Sequence, residues 1–145
     1  MAVSFDAKTA TWTSVNGVAT MNVSNMTGGS GANRALIVCV MFSSPTFPVG
    51  VTVTWDSSGT NQAMGQIAGT QVNALVLSGA SALYGLIAPT SGNKTLTISW
   101  TGNLEAHACA ISLTGVDQTG GSTSFPHGNS NSATGSAGPV SVTIT

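Results

Sequence analysis

The sequence predicts an all-β protein: a single antiparallel β-sandwich of jelly-roll or Greek-key type, with about nine to ten short strands. Three observations predict it. Apolar residues come in short blocks separated by Gly, Ser, Asn and Pro, at the spacing of strands and turns. Thr, Val and Ile are abundant, and β-branched side chains suit pleated surfaces. No segment carries a convincing helical period, and no fixed repeat suggests a propeller or β-helix. The chain of 145 residues is one domain's worth, residues 1–145. It is long enough to bury a core without metals or disulfides.

The elements follow in order. Residues 2–7 alternate around Val3 and Phe5, and 8–14 continue with Thr11 and Thr13 flanking Trp12. Asn16-Gly17 predicts a tight hairpin turn. Residues 18–25 alternate again, with Met21 and Val23 on one face. Residues 27–33 are a Gly-rich loop. Residues 34–42 are apolar without alternation, which predicts a strand covered on both faces. Pro45 and Pro48 break the chain. Residues 49–55 are a period-two strand with Val51, Val53 and Trp55 inward and Thr52 and Thr54 outward.

After a turn at residues 56–59, residues 62–68 form a short strand with Gly65 marking a bulge. Strands over 72–77 and 82–87 follow, joined by a turn at Ser78-Gly79, and Pro89 ends the second. After a turn at 90–93, residues 94–101 alternate with Leu96, Ile98 and Trp100 inward and Thr95 and Thr97 outward. A turn at Gly102-Asn103 leads to a long strand over 105–113. Residues 119–138 are a Gly/Ser/Thr/Asn-rich loop, and 139–145 a last strand with Val140, Val142 and Ile144 on one face.

Charge is what this chain lacks. Only 5% of residues are charged, against about 25% in an ordinary soluble domain. A net charge of −1, with Lys8, Arg34 and Lys94 the only side-chain cations apart from histidine, excludes a nucleic-acid backbone as partner. Ser, Thr, Gly and Asn take the place of ionic side chains, so copies of the protein repel one another weakly. No apolar stretch approaches the ~20 residues of a membrane helix, and the start of the chain has no basic and apolar leader pattern. No membrane partner and no cofactor are expected. Cys39 and Cys109 sit in apolar strands without a zinc-type spacing, and read as small buried hydrophobes with free thiols, a disulfide between neighbouring strands being the alternative.

Catalytic chemistry has little material. There is no Gly-x-Ser-x-Gly elbow. His107 lies between alanines in a strand and His127 in the long loop. Asp56 and Asp117 sit in turns, where carboxylates cap backbone N–H groups, and Glu105 starts a strand. No catalytic, cofactor or metal residue is therefore expected, and the protein is read as a non-enzyme. Among the aromatics, Tyr84 centres a strand read as buried, and Trp55 and Trp100 share the phase of core residues. Trp12 does not, and is the one candidate platform for stacking a sugar ring. The Thr-x-Thr pairs read as solvent-side or subunit-contact residues. Candidate assembly contacts are Thr52, Thr54, Thr95, Thr97, Phe125, Val140, Val142 and Ile144.

Several pieces, in this order, carry a resemblance. They are Val3-Ser4-Phe5-Asp6-Ala7, then Asn33-Arg34-Ala35-Leu36-Ile37-Val38-Cys39-Val40, then Val51-Thr52-Val53-Thr54-Trp55 leading to Gln62-Ala63-Met64. Tyr84-Gly85-Leu86-Ile87-Ala88-Pro89, residues 94–100 and Ala110-Ile111-Ser112-Leu113-Thr114-Gly115-Val116-Asp117-Gln118-Thr119 complete the set. Together they resemble a β-sandwich domain of bacteriophage virion proteins and of bacterial secreted or surface proteins. The resemblance covers about residues 5–119 and implies a structural or adhesive module without catalytic residues. This chain departs in having Cys39 and Cys109 where similar domains often have Gly. Similar domains also run on for further strands past the point where this chain stops, so either the fold is complete in a shorter form or the last strand pairs with another copy.

The expectation is a non-enzymatic assembly protein, a virion component such as a capsid decoration or a capsid- or tail-associated protein. Its partners would be copies of itself or other virion proteins, and it would be made in the host cytoplasm. The alternative is a carbohydrate-binding adhesion module, or a domain of an extracellular surface protein, with a glycan as partner.

Overall fold

A computed structural model describes residues 2–9, 11–74, 79–119 and Phe125. These residues form an all-β antiparallel structure, as the sequence predicts, with nine strands and no helix among them. The strands are β1 (Ser4–Lys8), β2 (Thr13–Gly28), β3 (Ala35–Phe42), β4 (Thr52–Trp55), β5 (Gln62–Ala63), β6 (Gly65–Gln66), β7 (Val72–Ala74), β8 (Gly79–Ile87) and β9 (Gly92–Thr114). The expected strand over 139–145 lies outside the described residues, as does the long loop over 119–138 apart from Thr119 and Phe125.

All nine strands belong to one hydrogen-bonded sheet, in the order β5-β4-β9-β3-β8-β6, with β1 and β2 also paired to β9 and β7 to β8. The two ends of that path, β5 and β6, are separated in sequence by Met64 alone. The sheet therefore curls until its ends approach, which gives it a partly barrel-like form. Met64 is what makes the join: its N–H donates to the Val53 carbonyl at 2.8 Å, and its side chain is buried in the core. The strand expected over 62–68 is thus two strands, one bonded to β4 and the other to β8. Gly65 marks the split rather than a bulge.

Two expected turns are absent, and the reason is the same for both. Asn16-Gly17 does not turn the chain into a hairpin, nor does Gly102-Asn103; β2 and β9 run through them. The two long strands pair antiparallel from Thr13↔Ala108 to Gly28↔Gly92. Gly17 and Gly102 have φ of +67° and +93°, the left-handed conformation that a tight turn also uses. Here that conformation serves irregularities in the ladder: the pairing passes from Val18↔Leu104 to Thr20↔Ser99, so residues 100–103 lie opposite Ala19 alone. The local backbone signal was right, and the long-range pairing decided what it was used for.

One core fills the curled sheet. It draws Met21, Val23 and Met26 from β2, the even residues of β3 from Leu36 to Phe42, and Val53 and Trp55 from β4. β9 adds Leu96, Ile98, Trp100, Ala106, Ala108 and Ala110, all on its even face. The alanines allow the close approach of the large residues opposite. Phe42 stacks edge-on against Trp100, with ring centroids 5.1 Å apart, and against Phe47 at 5.3 Å. The Trp55 indole N–H donates to the Thr90 carbonyl at 3.0 Å, which satisfies the one polar atom of a fully buried side chain.

Gly17 and Gly102 test the account of the long strands. A Cβ at either position would meet no atom within 4 Å, so only backbone conformation opposes a side chain there. Gly17→Ala and Gly102→Ala should each lower stability by about 1–2 kcal/mol in urea unfolding. Gly79→Ala, in equally open space but without a positive φ, should leave the midpoint within error.

Candidate functional site

The feature that stands out is on the outside of the sheet. A strand's side chains alternate between faces, and on β3, β8 and β9 the even residues fill the core. The odd residues should then be polar if that face met only water. Over one stretch they are not. Ile37 and Cys39 on β3, Leu83 on β8, and Cys109 and Ile111 on β9 all project outward and are only partly covered. Ile37, Cys39, Leu83, Cys109 and Ile111, with Ala110, line an open apolar pocket of about 270 Å³. The face extends at its margins to Met41 (41% exposed), Ile111 (37%), Trp12 (48%) and Phe5 (61%). The non-alternating run over 34–42 was the sequence signal for it. The outward phase of Cys109 and Ile111 was not drawn from the sequence.

Phe125 lies against this same surface. Gly85 is an outward position on β8, and a Cβ there would overlap the Phe125 ring. The ring is half-buried against its own sheet. Trp12 is exposed, as its phase suggested, beside an open pocket of about 190 Å³ that Lys8, Thr11 and Ile111 help to line.

The other predicted contact residues sit on a second, polar outer surface. Thr52 and Thr54 of β4 pair with Ser99 and Thr97 of β9. The Thr97 hydroxyl donates to Asn22 Oδ1 at 2.9 Å and accepts from the Ser57 hydroxyl at 2.7 Å, while Thr20 Oγ1 and Ser99 Oγ are hydrogen-bonded at 3.1 Å. Thr95 lies on the same face, half-buried. The result is a neutral ladder of hydroxyls and amides. Val140, Val142, Ile144 and His127 lie outside the described residues.

Most of the charged side chains hold turns together. Asp56 is the most buried of them, 4% exposed in its side chain. Its carboxylate accepts from the Thr60 N–H and hydroxyl at 3.2 and 3.0 Å, from the Thr90 hydroxyl at 3.2 Å, and pairs with Lys94 Nζ at 3.2 Å. It thus ties the turn after β4 to the start of β9. Arg34 spends its guanidinium on the carbonyls of Gly31 and Pro89. Asp6 accepts from the buried Ser112 hydroxyl at 2.7 Å. Asp117 caps Thr119, accepting its N–H at 2.9 Å and its hydroxyl, as expected of a turn carboxylate.

One arrangement has the elements of a catalytic relay. Ser14 and His107 are register partners on β2 and β9. Their Oγ and Nδ1 are 2.8 Å apart, and His107 Nε2 is 3.3 Å from Glu105 Oε1. The row continues to the Ser43 hydroxyl, which donates to Glu105 at 3.0 Å. Hydrolysis needs more than this. A serine nucleophile requires donors placed for the oxyanion, in a site that excludes water. Ser14 and Glu105 are instead exposed on an open strand face. The row is a cross-strand polar network beside the apolar face. Among the described residues no group of three or more His, Cys, Asp or Glu is placed to hold a metal ion, and no helix is long and apolar enough to cross a membrane.

Asp56 gives a pH signature. Hydrogen bonds from the Thr60 backbone and hydroxyl, with Lys94 beside them, hold its carboxyl below the usual value against the opposing effect of burial. Asp117 is lowered by its bonds to Thr119. A folded pKa below the unfolded one stabilises the protein above the unfolded value, about 3.9, and that contribution is lost as pH falls through the folded value. Urea midpoints measured from pH 7 to pH 2 should fall steeply below about pH 4. Asp56→Asn should be less stable at pH 7 and show a flatter acid limb, with Asp117 supplying what slope remains.

Comparison with known proteins leaves the reading to this geometry, since no family model, curated protein or solved structure matches the chain.

Proposed function

We propose that this protein is a non-enzymatic assembly module that associates with copies of itself or with a neighbouring protein lattice, as a component of a virion. The observation that carries the reading is the outward apolar face of β3, β8 and β9, flanked by exposed Phe5, Trp12, Met41 and Ile111. Apolar area removed from water contributes about 25 cal/mol per Å². A specific interface covers about 800 Å² on each partner. The near-absence of ionic groups lowers the desolvation cost of bringing such faces together. The neutral hydroxyl ladder on β4 and β9 offers a second surface that can be covered without stranding a charge.

Trp12 favours a second reading, a glycan-binding module. It is an exposed indole beside a small open pocket with Thr11 and Lys8 at its edge, the arrangement that stacks a sugar ring and hydrogen-bonds its hydroxyls.

One substitution separates the readings. Ile111→Glu places a charge on the apolar face without touching the core. It should weaken self-association at least about tenfold, a cost of about 1.4 kcal/mol, as read by light scattering over a concentration series, with thermal stability unchanged. Trp12→Ala should leave glycan-array binding unchanged if assembly is the function. Wild-type protein that remains a monomer at high concentration, and binds a glycan through Trp12, would replace the first reading with the second.

A further inference from the structure

Cys39 and Cys109 face each other across β3 and β9. Both are free thiols, half-buried and turned outward. Which kind of cross-strand pair they form decides their chemistry. The Ser43 N–H donates to the Glu105 carbonyl, so the odd residues of β9 turn their backbone toward β3. The Thr9 N–H donates to the Ala110 carbonyl, so the even residues turn toward β1. The Ala88 N–H donates to the Arg34 carbonyl, so the even residues of β3 turn toward β8 and the odd ones toward β9. All three bonds make Cys39↔Cys109 a hydrogen-bonded pair, the wider kind, with Cα atoms about 5.5 Å apart.

The Cα spacing is within the disulfide range, but a disulfide would draw the Cβ atoms to about 3.8 Å, closer than the roughly 4.5–5.5 Å at which directly opposite Cβ atoms sit. The pair suits a bridge instead. Metal–sulfur bonds are about 2.3 Å long, so two in line span roughly 4.6 Å, a separation two parallel thiols on such a pair reach without moving the backbone.

The surroundings select the ion. Cys39 and Cys109 open onto the apolar pocket with Ile37, Leu83 and Ile111, and among the described residues no carboxylate lines it. His107, the next outward residue on β9, has both ring nitrogens within bonding distance of Ser14 and Glu105. The next outward residue on β3 is Met41, itself a soft thioether. Among the described residues, hard divalent ions that need oxygen ligands, or a third and fourth nitrogen or sulfur, find none lining the pocket. Thiolates select soft cations.

We propose that Cys39 and Cys109 form a two-coordinate site for a soft monovalent cation of the Cu(I) type. Binding forms two Cu–S bonds and releases both thiol protons, so that two RSH and Cu⁺ give [Cu(SR)₂]⁻ and two H⁺, with no change of oxidation state. The apolar lining offers the ion no hard ligand from the described residues. The site does not depend on the assembly reading above, because both ligands come from one chain.

The test uses the full chain, reduced, anaerobic and metal-free, at a dilution where light scattering reports monomer. Cu(I) is supplied as its bicinchoninate complex, whose colour reports the ion the protein removes. The expected result is one Cu(I) per chain, with X-ray absorption showing two sulfur neighbours, and no competition by Zn(II). Cys39→Ser and Cys109→Ser should each weaken binding more than about a hundredfold, since even outer-shell changes at metal sites cost about 10- to 100-fold. A serine variant that holds Cu(I) as tightly as wild type, or a nitrogen and oxygen shell around the ion, would overturn the site. Should either variant fail to fold by circular dichroism, the wild-type absorption spectrum decides alone: without two sulfurs the proposal fails. Association measured without metal stands or falls separately.

Discussion

The constraint on which the structure depends is the length of β9. Its 23 residues are hydrogen-bonded to β1, β2, β3 and β4, so it belongs to every part of the curled sheet except the β6–β8 side and β5. A strand that long fixes the facing of every residue on it by period two. Its even residues from Leu96 to Ser112 are buried, apart from the bend at Gly102 and Leu104, and none of its odd residues is. Because β3 pairs with the second half of β9 residue for residue, from Ala35↔Leu113 to Phe42↔Ala106, its phase is fixed in turn. A slip of one residue would put the inward Leu36, Val38 and Val40 outside and turn Cys39 inward.

The same constraint explains why the outside is apolar where it is. β3 and the second half of β9 carry apolar residues on both faces, so whichever phase they adopt, one apolar face must point outward. On β3 the chosen phase buries Leu36, Val38, Val40 and Phe42 and leaves Ile37 and Cys39 outward; on β9 it buries the small Ala106, Ala108 and Ala110 and leaves the larger Cys109 and Ile111 to the surface. The sparse charges are used elsewhere. Asp56 with Lys94, Arg34 with the Gly31 and Pro89 carbonyls, and Asp6 with Ser112 each tie one stretch of chain to a distant one. Ionic groups here work as staples at turns and strand ends. Polarity at the surface falls to Thr, Ser and Asn, as in the Thr97–Asn22–Ser57 group.

Much of this was legible in the sequence. Period two gave the inward set Val51, Val53, Trp55, Leu96, Ile98 and Trp100, and all are buried except Val51, which packs half-buried against the core. The unalternating stretch over 34–42 announced a strand needing cover on both sides. Asp117 was readable as a cap because a carboxylate two residues before an N–H reaches it without help from the fold. The failures share one cause. Asn16-Gly17 and Gly102-Asn103 report that the backbone enters the left-handed region, and nothing local says whether the chain then reverses or continues. The answer lay nearly ninety positions away along the chain, in the pairing of β2 with β9. The Ser14–His107–Glu105 row was hidden for the same reason, since it joins β2 to β9, and the split at Met64 shows only once β5 is paired with β4 and β6 with β8.

The central claim is that the outward apolar face is covered when copies of the protein meet. Cys39 and Cys109 lie in that face and report on it directly. The rate at which a small uncharged maleimide modifies them should be measured on metal-free, reduced protein from high dilution to high concentration. Burial raises the pKa of both thiols and slows their reaction even in the monomer; the account predicts measurable modification when dilute and protection that grows with concentration, with no weakening at high salt because little charge is involved. A rate independent of concentration over the whole range would contradict it.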